Sequence, residues 1–98
     1  MLQRDLPESA PPAGRMFKRK VELMEASLGD EMVALDVEGG SCFGFNVVAA
    51  SVWRQLERPQ TFAALHAQLL DEFDVTAKKC ARDLRRLLDE LSSVGLLA

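Results

Sequence analysis

Ser41-Cys42-Phe43-Gly44-Phe45-Asn46 runs without a linker into Val47-Val48-Ala49-Ala50-Ser51-Val52-Trp53-Arg54-Gln55-Leu56. In its first part Phe43 and Phe45 alternate with Cys42 and Gly44, the period of two expected of a short strand with one aromatic face buried. The period then changes. Ala49, Val52, Trp53 and Leu56 recur at i, i+3, i+4 and i+7, one stripe of an amphipathic helix, and Asn46 stands where a side-chain oxygen caps its first amides. A strand thus ends on the residue that starts a helix. This junction requires a sheet on one side and a helical layer on the other, with Trp53 directed between them.

Upstream of the junction the chain reads as β. Val21 and Leu23 alternate with Lys20, Glu22 and Met24 in a first strand that begins near Met16, and Leu28-Gly29-Asp30 supplies a turn. In a second strand Val33, Leu35 and Val37 alternate with Met32, Ala34 and Asp36. Glu38-Gly39-Gly40-Ser41 reverses the chain into the third, residues 42–46. Short turns between consecutive strands imply an antiparallel meander in the order 1-2-3. Residues 1–15 hold Pro7, Pro11, Pro12 and Gly14 without apolar periodicity, so they read as a flexible arm before a domain over 16–98.

Downstream the chain reads as helix. The first helix stops near Pro59, which helix interiors tolerate poorly. Thr61 caps a second, with Phe62, Leu65, Leu69 and Phe73 as its stripe, and Thr76 caps a third over about 77–94. The third carries Cys80, Leu84, Leu87, Leu88, Leu91 and Val94 inward, and Gly95 is its C′ stop. Three strands followed by three helices define an α+β domain with the helices on one face of a small antiparallel sheet.

Composition narrows the function. With 98 residues, 48% of them hydrophobic, the chain has one modest core and no room for a deep interdomain cleft. A net charge of −3 argues against a general affinity for nucleic acid or anionic membranes. No segment reaches the ~18 apolar residues of a membrane span, nor does the N-terminus have the apolar core of a signal peptide, so a cytoplasmic protein is expected. Cys42 and Cys80 form no CxxC pair and His66 is the lone histidine, which excludes a tetrahedral zinc site and leaves two reduced thiols serving as small apolar groups. No nucleophile stands near a base with an orienting partner, there is no phosphate-binding glycine motif, and Gly39-Gly40 reads as a hairpin turn. Neither Asp71/Glu72 nor Asp89/Glu90 converges, since adjacent helix residues point apart. The expectation is a protein that is not an enzyme and carries no metal or cofactor.

Two features remain for binding. In a meander of order 1-2-3 the third strand is an edge, whose free amides and carbonyls accept another strand unless Leu96-Leu97 or the N-terminal arm covers them. In addition, Lys78, Lys79, Arg82, Arg85 and Arg86 crowd the last helix with Asp83 alone among them, either as a solvated face or as a site for acidic groups.

With those residues in view, the chain resembles the PqqD-like family, also called RiPP precursor-peptide recognition elements, over about residues 16–97. The resemblance rests on Gly29-Asp30-Glu31 before the second strand, on Phe43-Gly44-Phe45-Asn46 where the family has aromatic-x-Leu-Asn, and on Val52-Trp53 where it has Ile-Trp. Phe73-Asp74-Val75, the Cys80–Leu84 segment, Leu87–Leu91 and Gly95-Leu96-Leu97 extend it in the same order. Phe45 stands where Leu is usual, and Val47-Val48 where a polar helix start is common. The resemblance implies a winged-helix-like fold and a non-catalytic module that binds the leader segment of a ribosomally made precursor peptide. The leader would add to the third strand, at Cys42, Phe43, Gly44 and Phe45, and lie against the third helix, with Lys78, Arg82, Arg85 and Arg86 as candidates for the groove wall. Trp53 and the Cys80 segment are similar to stand-alone members serving lasso-peptide clusters, for which the next partner is a separate leader peptidase or other modifying enzyme. The rivals are a DNA-binding winged helix and an adaptor or dimerisation module. A DNA-binding form has a β-hairpin wing after its last helix, whereas here three residues follow Gly95.

Overall fold

A computed structural model describes residues 14–98. Five strands and three helices follow one another as β1 (Met16–Phe17), β2 (Met24–Leu28), β3 (Glu31–Asp36), β4 (Ser41–Phe45), α1 (Val47–Gln55), β5 (Gln60–Thr61), α2 (Phe62–Glu72) and α3 (Ala77–Ser93). The antiparallel meander is β2-β3-β4, with β4 at one edge, and three helices follow it, as the sequence pattern requires. Gly29 and Asp30 alone join β2 to β3. Gly29 has φ +68° and Asp30 a negative φ, the geometry of a type II′ hairpin turn matched to strand twist. In the β3–β4 turn the Asp36 carboxylate accepts from the Gly39 amide, and a Cβ on Gly39 would lie 2.5 Å from that carboxylate.

The first expected strand is divided. Met16–Phe17 pairs with Gln60–Thr61 in a separate two-stranded sheet, and residues 18–20 pair with the C-terminus through Lys20 N–H to Leu96 O and Ala98 N–H to Lys18 O. The meander strand begins only at Met24 and continues through Leu28, which the sequence pattern had placed in the turn. Val21 and Leu23 are half-buried against the core without joining a strand, so their alternation reflects packing rather than pairing. Leu96-Leu97 therefore covers residues 18–20, not β4. The arm expected over residues 1–15 lies outside the described residues apart from Gly14 and Arg15.

Helix starts follow the sequence closely. Asn46, Thr61 and Thr76 each accept a hydrogen bond from the amide three residues on, at Ala49, Ala64 and Lys79. At the end of α3, Gly95 (φ +82°) allows Leu96 N–H to reach Leu91 O and its own N–H to reach Ser92 O, a Schellman motif that turns the tail back towards residues 18–20. The core sits between the sheet and the helices. Met32, Ala34 and Phe45 face α1, where Val52 and Trp53 are fully buried and Trp53 meets Phe45 edge-on at 5.7 Å between ring centroids. Leu65 and Leu69 of α2 and Cys80, Leu84, Leu88 and Leu91 of α3 complete it. Two expectations change. Val94 is 54% exposed rather than inward, because it lies on the flank of α3 turned towards the outer edge of β4, and Cys42 is exposed, because strand alternation puts it opposite Phe43.

Candidate functional site

The pleat of β4 decides what surrounds its edge. Phe43 and Phe45 point to the core side, Phe45 buried and Phe43 half-buried, while Cys42 and Gly44 point away. On that outer face Cys42 continues a row with Leu35 and Met24, and Gly44 a row with Val33 and Ala26. Among the described residues no strand pairs with the outer edge of β4. Every second N–H and C=O of Ser41–Phe45 is therefore directed away from β3.

That edge borders a groove of about 320 Å³. One wall is Phe43, Gly44 and Phe45, the other is Leu87, Leu91 and Val94 of α3, and Asn46 and Ala49 close one end. The volume is near the lower limit of small-molecule sites, about 300–1,000 Å³. An open trough of that size beside a strand edge unpaired among the described residues has room for one extended chain with alternate side chains inserted. Glu90 lies on the α3 rim.

The basic helix is distributed differently from its sequence crowding. At about 100° per residue, Leu87, Glu90 and Val94 fall on the flank of Leu84 that faces β4, Lys78 and Arg85 fall on the other flank, and Arg82 and Arg86 on the crest between. Arg86 borders a depression that adjoins the groove and includes Lys79, Asp83 and Glu90, whereas Lys78, Arg82 and Arg85 line neither. Lys79 holds Asp83 at 2.6 Å, and this hydrogen bond keeps the Asp83 carboxyl below its ordinary range. Arg85 pairs with Asp89 at 3.3 Å. The groove side is thus apolar with charges of both signs on its rim.

The sequence pattern puts Cys42–Phe45 beside the groove and turns Leu87 and Val94 inward; Leu87 does pack against the core but also lines the groove, and Val94 lines it from an exposed position. His66 is the half-buried boundary residue expected, with Nε2 2.9 Å from Ala77 O and its ring stacked on Phe62. Glu72 is exposed, as expected, and in addition accepts from the buried hydroxyl of Ser51 at 2.5 Å, which ties α2 to α1.

The model of the family described as coenzyme PQQ synthesis protein D (PqqD) matches residues 31–97, from β3 to the C-terminal tail. No curated protein matches. Among solved structures, TbiB1 in complex with the TbiA(beta) leader peptide is similar at a TM-score of 0.72 and 29% identity, over 82% of this chain and 93% of that one. Lasso peptide synthetase B1 complexed with the leader peptide is similar at 0.69 and 25%, over 84% of this chain and 96% of that one.

Proposed function

The chain belongs to the PqqD family, and from that premise we propose that it binds the leader segment of a ribosomally synthesised precursor peptide by adding it as a strand to β4. The observation that carries this reading is the outer edge of β4, unpaired among the described residues and bordering the apolar groove against α3. Main-chain hydrogen bonds to Cys42–Phe45 supply affinity in any such pairing, and pockets for alternate side chains supply selectivity. One row of leader side chains enters the groove beside Phe43, Phe45, Leu87 and Val94. The other row continues the exposed apolar face of Met24, Leu35 and Cys42. Two neighbours of the same fold being complexes with leader peptides supports the same class of ligand here.

The module acts without catalysis, as a domain over residues 16–98. It works in the cytoplasm, where it hands the peptide to a separate leader peptidase or other modifying enzyme. Of Lys78, Arg82, Arg85 and Arg86, we take Arg86 as the contact for an acidic leader residue, because it alone of these borders the depression beside the groove. Lys78, Arg82 and Arg85 are reached only by a leader that crosses the crest of α3.

The test is hydrogen exchange of the β4 amides by NMR, with and without a synthetic precursor leader peptide. Expected is new protection at every second amide of Ser41–Phe45, together with loss of binding in a folded Gly44→Pro variant. A Cβ at Gly44 meets no atom within 4 Å, so the fold has space there. Uniform protection, or full binding by the proline variant, overturns strand addition.

A further inference from the structure

We infer that the hollow between the start of α1, the end of α2 and the first half of α3 is a second subsite for the same peptide, taking one apolar side chain from just outside its β-paired segment. The inference rests on the peptide-binding reading of β4. Buried Leu69, Cys80 and Leu84 form the base of the hollow, and Val48, Phe73 and Val75 form its sides. Its volume is about 160 Å³. An apolar cavity of about 150 Å³ holds benzene or xenon and stays dry when empty, so this one accommodates a branched aliphatic or phenyl-sized group.

Continuity with the β4 groove says what reaches it. The depression between the two shares Asn46, Ala49, Leu87 and Glu90 with the groove, and Val48, Lys79 and Asp83 with the hollow. A chain lying on β4 therefore passes from one to the other without leaving the surface. Between Leu87 and Cys80 the helix rises about 10 Å, at about 1.5 Å per residue, which about three extended residues span at about 3.3 Å each. A peptide antiparallel to β4 reaches the hollow with residues before its paired segment, and a parallel one with residues after it. The Lys79–Asp83 pair on the rim is self-neutralising, so the subsite selects by size and apolarity rather than by charge.

The full chain is panned against a displayed library of random peptides long enough to span both sites, and each retained peptide is alanine-scanned by titration. If no retained peptide is lost to Gly44→Pro, the strand reading falls and this subsite with it. Given such a peptide, alanine at one apolar residue about three positions beyond the paired segment should weaken binding roughly tenfold or more, as expected for an apolar side chain leaving its pocket. Val48→Asp should cause the same loss, and combining the two changes should cost little more than either alone. Val48 is exposed and sits in the first turn of α1, where an acid suits the helix N-terminus, so the variant should fold; Val48→Thr, which keeps the shape and adds a hydroxyl, should give a smaller loss in the same direction. Strand-dependent peptides that ignore both Val48 variants, or whose losses simply add, overturn the second subsite and leave the β4 reading intact.

Discussion

The indole Nε1 of Trp53, a residue fully buried on α1, donates a 2.9 Å hydrogen bond to Oε2 of Glu25 on the exposed strand β2. The guanidinium of Arg19 lies 4.3 Å over the same indole and 3.8 Å from Glu25, and it donates to the Trp53 carbonyl. One tryptophan thus joins the helical layer, the far edge of the sheet and the segment that holds the C-terminus. Trp53→Ala should cost ~3–5 kcal/mol, a large share of the 5–15 kcal/mol typical of small domains, and should lose binding only through loss of fold. A chemical melt followed by circular dichroism checks this. A variant that melts like the parent yet cannot bind would place Trp53 in the peptide site instead.

Glu25 should act through its hydrogen bond more than through its charge, because its side chain is about one-third exposed and Arg19 stands at the limit of ion-pair distance. Glu25→Gln, which keeps an acceptor for the indole, should therefore lose less stability than Glu25→Ala, for which about 1–2 kcal/mol is expected. Equal losses in parallel melts would assign the effect to charge.

Leu87 and Val94 separate binding from stability. Both line the groove and neither is fully buried. Leu87→Asp or Val94→Asp should lower leader affinity by roughly tenfold or more, since each puts a charge where an apolar side chain is to be buried. Fluorescence anisotropy with a labelled leader reads the loss, beside a melt showing a folded protein. Unchanged affinity would remove the α3 wall from the site.

Charge reversal distinguishes the basic residues. Arg86→Glu should weaken binding of an acidic leader by about 0.5–1 kcal/mol, the scale of an exposed pair, and reduce its salt dependence. Arg82→Glu and Arg85→Glu should have smaller effects, because those residues line neither the groove nor its neighbouring depression. The same titrations at two salt concentrations decide the order.

The two thiols should differ sharply. Burial is the main cause that pushes the Cys80 thiol up, the Asp83 charge adds to it, and Lys79 opposes it. A folded pKa above the unfolded one means that Cys80 contributes stability in full below its ordinary value of 9.0, and that this contribution is lost as pH rises through the folded value. At neutral pH a thiol reagent should modify exposed Cys42 rapidly and Cys80 only on unfolding. Two equally fast thiols in a stopped-flow trace would contradict this burial.

What the sequence by itself determined was local. Asn46, Thr61 and Thr76 mark the helix starts because a capping oxygen acts over three residues, and the period of two in Cys42–Phe45 and of 3.6 in Ala49–Leu56 sets which side chains share a face. The meander order follows from short turns, so the position of β4 at the edge of the sheet and the aromatic side beside it were legible from local pattern alone. Only the tertiary structure decided that Met16–Phe17 would leave the meander for Gln60–Thr61, that Leu96-Leu97 would cover residues 18–20, and that Arg19 and Glu25 would close on Trp53. It also decided that Leu87, packed at the edge of the core, and exposed Val94 would line a groove, with Arg86 beside it and Arg85 turned away. Each of these depends on partners tens of residues apart, whose pairing is settled by competition among packed layers, and no local spacing records which layer a helix flank will meet.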